Sequence, residues 1–368
     1  MKPELRFTTD NNDWDVKRFK DACTSLRSGT LTQNQLIDNG KYPVVNGGVS
    51  DYGRFDDYNC EDAFTIASRG EAGHIRYNPG KFWAGGLCYP YKAIEDDTAF
   101  IAYELMYKEA EFKELYKIQT SIPAVNKADF QDYPISLPNL STQHSIATLL
   151  SSLDEKIKKE SEEIDKLKQI KAAMLTKMFP KDGANVPEIR FEGFTDPWEQ
   201  RKLGEIAKTT IGEFVIKTKQ DDNYPYPVFN GGSSHTGFYN EFNNEGNKIL
   251  VSARGANAGF VNIIKTRYWA GNSCYSIDLL DKTEFDTDFI YQEMKRNQTR
   301  FTDNQQAANI PSVSKSDVEK IVIDVPGYAE QIKIANCFIN LDNLITLHQR
   351  QLLGLTQIKK ALLNKLLI

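Results

Sequence analysis

Two long stretches of the chain place apolar residues at alternating steps of four and three positions. They lie within residues 141–179 and 334–366. In the first stretch, eight of ten seam positions are apolar, and the ten are Ile146, Leu150, Leu153, Ile157, Glu160, Ile164, Leu167, Lys171, Met174 and Met178. The second stretch also has eight apolar residues among ten: Ile334, Phe338, Leu341, Ile345, His348, Leu352, Leu355, Lys359, Leu362 and Leu366. This heptad spacing predicts two long amphipathic helices.

Proline and glycine mark the ends of both helical patterns. Pro138 precedes the first and Pro180 follows it, with Gly183 beyond, while Pro326 and Gly327 precede the second. Each helix would be roughly 55 Å long at about 1.5 Å per residue. The simplest way to bury two such seams is to pack the helices against each other as a coiled coil. Two unrelated core helices are the alternative, because the same spacing occurs on ordinary packed helices.

The sequence before each long helix predicts a mixed α/β domain. Short runs rich in β-branched and aromatic residues, bounded by glycine, proline and asparagine, predict strands. These runs are residues 62–68, 74–77 and 87–91 in the first half and residues 248–253, 259–264 and 274–279 in the second. Residues 98–118 have a helical pattern instead, with Asp97 or Thr98 as the N-cap. The predicted fold class is therefore α/β (α+β), with two globular domains that are each followed by a long helix.

The two halves of the chain repeat each other. YPVVNGG at residues 42–48 returns as YPVFNGG at residues 226–232, an offset of 184 residues. Four further segments return in the same order: residues 3–19, 66–89, 98–105 and 122–130 match residues 187–203, 251–275, 287–294 and 310–318. Collinear matches over this length indicate duplication of a whole domain with its helix, and not a short solenoid repeat.

Composition and charge limit the class of protein. Hydrophobic residues at 40% and charged residues at 26% are ordinary globular values, and no apolar run reaches the roughly 18 to 20 residues of a membrane span. The five cysteines form no CxxC pair and the four histidines are scattered, which favours a reducing compartment and no metal site. We therefore expect a soluble, cytoplasmic protein. The net charge of −5 means that a DNA-binding role would need basic surface from partner subunits.

No catalytic sequence motif is present. The chain has no GxGxxG, GxxxxGK[ST], HExxH or GxSxG motif, and no [DN]PP[YF] pocket of an amino-methyltransferase. Scattered carboxylates do not recur in both halves as a pair suited to acid and base chemistry. The sequence therefore predicts a binding protein and not an enzyme.

Candidate ligand-binding residues lie in motifs that both halves share. Each half has an Arg beside Gly at the end of a predicted strand with Ser nearby, and each has an NGG phrase. Glycine permits close backbone approach, and Arg offers a bidentate fork for phosphate or for guanine O6 and N7. A tight hairpin with an exposed Arg, and a plain Asn-Gly turn, are the structural alternatives. The candidates for contact with a large polar ligand are Asn46, Ser68, Arg69, Asn230, Ser252 and Arg254.

The order of these motifs resembles that of the specificity subunit of type I restriction-modification systems. The similar features are YPVxNGG, a strand followed by (S)RGxxG, the FWAGG or YWAGN turn with its following Tyr, the IPxVxKxD segment, and the helix endings QIKxAxLxKM and QIKKALLNKLL. The resemblance covers essentially all 368 residues. It implies a target-recognition domain at residues 1–140, a central helix at 141–186, a second target-recognition domain at 187–328 and a C-terminal helix at 329–368.

The resemblance also implies a mechanism and partners. Each recognition domain would read one half of a bipartite double-stranded DNA site, and the two helices would pack antiparallel and act as a ruler. Two methyltransferase (M) subunits, which methylate adenine at N6, and restriction (R) subunits that carry the motor and nuclease would join the chain. S-adenosylmethionine, ATP and Mg²⁺ would be bound by those partners, with no cofactor, metal or membrane contact in this chain.

Two further readings follow from the same features. Because the NGG and RG motifs are shared, we expect the two domains to read related half-sites in opposite orientations. The alternative function is a non-catalytic adaptor that carries two protein-binding or glycan-binding domains on a coiled coil. Such an adaptor explains the acidic charge, but it gives no reason for an Arg beside Gly in both halves.

Overall fold

The computed structural model describes residues 3–6, 13–116, 123–181, 183–299 and 311–367. It divides into two compact units, one formed by Met1–Glu162 with Gln349–Ile368 and the other by Glu163–His348. Residues 7–12, 122 and 310 of the predicted repeat, and residues 117–118 at the end of the predicted helix, lie outside the described residues.

The first unit is a mixed α/β domain. Its strands are β1 (Asp15–Arg18), β2 (Cys23–Ser25), β3 (Tyr42–Val45), β4 (Gly53–Phe55), β5 (Cys60–Ala67), β6 (Ile75–Ala84), β7 (Cys88–Ala93) and β8 (Pro134–Leu137). Its helices are α1 (Phe19–Ala22), α2 (Thr98–Tyr107), α3 (Glu109–Tyr116) and the first part of α4 (Leu140–Lys177). One sheet has the strand order β2-β7-β5-β6-β3-β4, and β1 pairs separately with β8. All pairs are antiparallel except β3 with β6.

The second unit repeats this plan. Its strands are β9 (Glu199–Lys202), β10 (Ala207–Ile211), β11 (Tyr226–Phe229), β12 (Gly237–Tyr239), β13 (Lys248–Ser252), β14 (Val261–Ile264), β15 (Trp269–Ala270), β16 (Cys274–Leu279) and β17 (Val322–Val325). Its helices are α5 (Leu203–Ile206), α6 (Thr287–Arg296), α7 (Lys315–Lys320) and the first part of α8 (Tyr328–Leu366). The sheets have the orders β10-β16-β13-β14, β12-β11-β15 and β17-β9. The six predicted strands are confirmed as β5, β6 and β7 in the first unit and β13, β14 and β16 in the second.

Both long helices are confirmed. Helix α4 has 38 residues and helix α8 has 39. Helix α4 begins two residues after Pro138 and ends before Pro180, as the proline signals predict. All twenty seam positions are buried or half-buried, including the four that carry polar side chains. The 4-3 spacing therefore identifies the face that packs.

The long helices pair antiparallel, and ion pairs hold two of the polar seam positions. In the second unit, Lys171 Nζ of α4 lies 2.6 and 2.8 Å from the two carboxylate oxygens of Asp342 in α8. In the first unit, Lys359 Nζ of α8 lies 2.5 Å from Asp154 Oδ1 in α4. Lys171 and Lys359 hold corresponding positions in the two repeats, and so do Asp154 and Asp342. The same pair therefore forms twice with the roles of the helices exchanged, which follows when two helices of repeated sequence pair antiparallel.

Each long helix ends inside the core of a unit that contains the globular domain of the other repeat. Met178 and Phe179, just past α4, are buried in the second unit, where the Phe179 ring lies 5.8 Å from that of Trp198. Leu366 and Leu367, at the end of α8, are buried in the core of the first unit. Burying such side chains contributes about 1.5 to 3 kcal/mol each. The helix ends are therefore core elements, and not merely connections.

A short segment caps the last turn of each long helix. The Leu5 amide donates to the carbonyl oxygen of Lys365 at 2.8 Å, and the Ile189 amide donates to that of Lys177 at 2.8 Å. Leu5 and Ile189 are the matching residues of PELR and PEIR. Both bonds satisfy a helix carbonyl that has no partner within its own helix.

The first turn of each long helix anchors the shorter helix of its own domain. Asp97 caps α2 by accepting from the Phe100 amide at 2.9 Å, which confirms the predicted N-cap. The Asp97 amide itself donates to Gln143 Oε1 in α4 at 2.9 Å. The second unit repeats this with Asp286 and Gln331, also at 2.9 Å. Both glutamines are buried, so each globular domain is held to its long helix by a satisfied internal bond.

Candidate nucleic-acid interface

Four repeated motifs meet in one loop cluster of the first unit. We define this first loop cluster as residues 46–48, 68–73, 85–88 and 124–127. The Glu71 amide donates to the Gly47 carbonyl at 3.0 Å, and the Ser68 amide donates to that of Leu87 at 2.9 Å. The Val125 amide donates to the Ser68 carbonyl at 3.0 Å. Backbone bonds therefore join the NGG, RG, WAGG and PAV segments, which are far apart in the sequence.

The second unit builds the same arrangement. Its second loop cluster consists of residues 230–232, 252–259, 271–274 and 312–315. The Ala253 amide donates to the Ser273 carbonyl at 2.7 Å, and the Val313 amide donates to the Ala253 carbonyl at 2.9 Å. These two bonds match those of Ser68 and Val125 in the first cluster, so the duplicated sequence produces a duplicated surface feature.

Asn46 and Asn230 brace the clusters. Asn46 Oδ1 accepts from the Leu87 amide at 2.9 Å, and Asn230 Oδ1 accepts from the Ser273 amide at 3.2 Å. Both side chains are half-buried. This role goes beyond a plain Asn-Gly turn, because the side chain ties the NGG loop to the loop after the WAG segment. The only sequence signal for this brace is the presence of the same Asn in both repeats.

Ser68 and Ser252 lie inside their clusters and occupy different positions. They are 8% and 2% exposed, respectively. The backbone bonds match Ser68 with Ala253, and they match Ala67 with Ser252. The Ser252 hydroxyl donates to the Gly232 carbonyl at 3.1 Å. The two serines therefore belong to the loop scaffold and do not form an equivalent pair.

Arg69 and Arg254 are equivalent, and both are exposed. Within the described residues, neither guanidinium makes a side-chain hydrogen bond or an ion pair. Each Arg precedes a glycine in the left-handed region, with φ of +72° at Gly70 and +90° at Gly255. Arg69 also lines a cavity of about 270 Å³ together with Leu87, Tyr89 and Val125. The arrangement presents five N–H donors per cluster to an external acceptor.

Each loop cluster contains one buried cysteine thiol. Burial raises the pKa of the Cys88 thiol to about 12 and that of Cys274 to about 11, so both are neutral near pH 7. The Gly231 amide lies 3.0 Å from Cys274 Sγ, to which it donates. Burial also raises the pKa of the Tyr275 hydroxyl, although nearby Arg254 opposes that shift. Among the described residues, no group of three or more His, Cys, Asp or Glu side chains could hold a metal ion.

The sequence family is established by both halves of the chain. The model for the type I restriction modification DNA specificity domain matches residues 11–169 and again residues 195–357. The chain therefore belongs to the type I restriction-modification DNA specificity family. As a member, it is a non-catalytic subunit that gives the complex its DNA sequence specificity, which favours DNA recognition over the adaptor alternative.

Full-length relatives agree with this placement. A putative type I specificity subunit of Mycoplasma genitalium is 25% identical over 376 residues, which cover 100% of this chain and 96% of the relative. A putative type I restriction enzyme specificity subunit of Methanocaldococcus jannaschii is 24% identical over 96% of this chain and 93% of its own length. The crystal structure of a type I restriction-modification S subunit from M. genitalium has the same fold, with a TM-score of 0.85 at 22% identity over 100% of this chain and 99% of that one.

Over the described ranges, no helix is both long enough and apolar enough to cross a bilayer.

Gly47 offers a direct test of the loop cluster. Its φ is +74°, and an added Cβ would lie 2.7 Å from the Arg69 carbonyl oxygen and 2.8 Å from that of Leu87. We expect Gly47→Ala to lower the free energy of unfolding by about 1 to 3 kcal/mol. The matched control is Gly48→Ala, where the nearest atom would be 3.7 Å away. Thermal unfolding of both variants checks this, and equal effects of the two substitutions would contradict the proposed close approach.

Proposed function

We propose that each loop cluster contacts one half of a bipartite double-stranded DNA site, with Arg69 and Arg254 as the principal contacts. The observation that carries this proposal is the duplicated loop cluster, which ends in an exposed and unpaired Arg in both units. Asn46, Asn230, Ser68 and Ser252 support these contacts by holding the loops in place. Because the chain has two loop clusters, it could contact both halves of a bipartite DNA site.

Two kinds of DNA contact are open to an exposed Arg. A bidentate bond to guanine O6 and N7 would read the base, whereas a bond to phosphate would only position the protein. The first contact would be worth about 1 to 3 kcal/mol of discrimination against a wrong base. The second would strengthen binding to every sequence equally.

The partner proposal follows from charge and from the absence of catalytic motifs. A chain of net charge −5 supplies little of the positive surface that DNA binding needs. We infer that two M subunits, which methylate adenine, dock on this chain and complete a clamp, and that R subunits join for cleavage. S-adenosylmethionine, ATP and Mg²⁺ would be bound by those subunits. The complex would act in the cytoplasm, in keeping with five free cysteines.

The paired helices would set the distance between the half-sites. Antiparallel pairing with two reciprocal ion pairs fixes the register of α4 against α8. A fixed register would allow only certain numbers of unread base pairs between the two halves. The shared motifs support the hypothesis that the half-sites are related and oppositely oriented, and a methylation motif with unrelated halves would count against it.

Arg69→Ala is expected to weaken recognition of one half-site by about 1 to 3 kcal/mol if Arg69 bonds a base. Arg254→Ala should do the same for the other half-site. Arg69→Lys keeps the positive charge but loses the bidentate guanidinium group. This variant should therefore keep the wild-type affinity only if Arg69 contacts a phosphate. Arg18→Ala is a matched control, because this exposed Arg is already paired with Asp21.

The measurement is a gel shift of the chain co-expressed with its methyltransferase, on duplexes with either half-site scrambled. Equal weakening by Arg69→Ala on all sequences would make Arg69 a phosphate anchor. An unchanged affinity in both Arg→Ala variants would contradict the proposed contacts.

A matched deletion in both helices tests the ruler. Removing residues 158–164 from α4 and residues 346–352 from α8 keeps the heptad phase and leaves both ion pairs able to form. The pairing should shorten by about 10 Å at 1.5 Å per residue, close to three base pairs at about 3.4 Å each.

We expect the spacing in the methylated motif to change, or methylation to be lost while the protein stays folded. Deleting residues 158–164 alone is the control, since it breaks the register of the pair and should destabilise the protein. An unaltered motif in the matched variant would rule out the ruler.

A further inference from the structure

The two loop clusters share a frame of identical residues. Residues common to both are the bracing Asn, the glycines of the turns, the exposed Arg, the buried Cys, and the Tyr, Val and Lys near them. In the first cluster these are Asn46, Gly47, Arg69, Gly70, Gly85, Cys88, Val125 and Lys127, with Tyr89 adjacent, and in the second they are Asn230, Gly231, Arg254, Gly255, Gly271, Cys274, Val313 and Lys315, with Tyr275 adjacent. Asn46, Gly47 and Val125 make bonds that join the loops of the first cluster, and Asn230 and Val313 do so in the second, so shared residues hold the backbone of each cluster.

Several positions differ between the clusters, and three of them lie near the shared Arg with side chains that are exposed or half-buried. Glu71 is replaced by Ala256, which is followed by the extra residue Asn257. Gly86 and Leu87 are replaced by Asn272 and Ser273. The first cluster therefore presents an acidic and an apolar side chain around Arg69. The second presents amide and hydroxyl groups around Arg254.

The backbone at these positions is held while the side chains are exposed or half-buried. The Glu71 amide is bonded to Gly47, and both backbone groups of Leu87 are bonded, to Asn46 and to Ser68. Ser273 makes the same two bonds in the second cluster, to Asn230 and Ala253.

The stability of the fold does not account for the side chains of Glu71 and Leu87. Leu87 is 41% exposed, and Glu71 is exposed without a side-chain bond among the described residues. An exposed Leu beside an unpaired Arg gains little stability from its position, whereas an external apolar group could pack against it.

We propose that Glu71 and Leu87 in the first cluster, and Asn257, Asn272 and Ser273 in the second, determine which base pairs each cluster accepts. This inference rests on the proposed function, because it requires both clusters to face DNA. The shared Arg would anchor each cluster in the same way, and the variable side chains would select among sequences. Two readers could then share a scaffold and still differ in preference.

The chemistry of these side chains gives each half-site an expected character. An apolar side chain contacts the thymine methyl group, and a carboxylate accepts from the cytosine N4 amino group. Glu71 and Leu87 would therefore favour pyrimidine features in the groove. Asn bonds adenine N6 and N7 in a bidentate manner, so Asn257 or Asn272 would favour adenine in the other half-site.

The test grafts the second pattern onto the first cluster by the triple substitution Glu71→Ala, Gly86→Asn, Leu87→Ser. The fold should tolerate it, because a Cβ at Gly86 would meet its nearest atom at 3.7 Å and the other two side chains are exposed. The full chain is co-expressed with its methyltransferase, and the complex selects from duplexes randomised in one half-site at a time. Methylated motifs are sequenced from the same cells. Ile94→Ser is the matched control, since it removes an exposed apolar side chain just beyond the opposite end of β7.

We expect the grafted chain to change its preference at one or two positions of one half-site by about 5- to 150-fold, with the other half-site unchanged. Ile94→Ser should leave both half-sites unchanged. An unaltered preference in the grafted chain, or a uniform loss of affinity on all sequences, would overturn this inference. A wild-type complex without any bipartite preference would instead overturn the proposed function itself.

Discussion

The exchange of helix ends between repeats is the constraint on which the rest of the structure depends. Phe179 ends the first repeat but is buried among residues of the second recognition domain, and Leu366 ends the second repeat but is buried in the first unit. Neither recognition domain has a complete core without the helix of the other. The ion pairs of Lys171 with Asp342 and of Lys359 with Asp154 fix the register in which this exchange occurs. The stability of each unit therefore depends on both long helices.

Comparison of the two repeats also separates the loop residues that are the same in both clusters from those that differ. Asn46 and its counterpart Asn230 accept from equivalent backbone amides in the two clusters. Arg69 and Arg254 each precede a glycine of positive φ in equivalent turns. Between these fixed points lie exposed side chains that packing does not constrain. A scaffold of this kind can acquire a new preference by surface substitution while its fold is unchanged, which suits a protein whose role is specificity.

The sequence predicted much of the fold because its strongest signals are local. The 4-3 spacing identified every seam position, the prolines marked the helix boundaries, and Asp97 was recognisable as a cap. The register of the two helices was not predictable from the sequence. Both seams are apolar along most of their length, and an antiparallel register depends on long-range contacts. The Lys and Asp residues that set it are ordinary charges when read in isolation.

The candidate interface was predicted less completely for the same reason. The repeats located the motifs, but only the fold shows that they meet, and that Asn46 braces a loop about forty residues away. The serines illustrate the limit, because Ser68 and Ser252 look equivalent in the sequence and the backbone bonds match each with an alanine. Exposure of Arg69 and Arg254 could not be deduced from composition, because glycine turns occur both inside and outside a core.

The most direct test of the central claim is single-molecule sequencing of adenine methylation in cells with this chain present and in cells that lack it. DNA specificity through two readers predicts that one bipartite motif loses methylation when the chain is deleted, and that the motif reveals two half-sites and a fixed gap. In a strain whose methyltransferase is expressed, an unchanged methylation pattern would contradict that account.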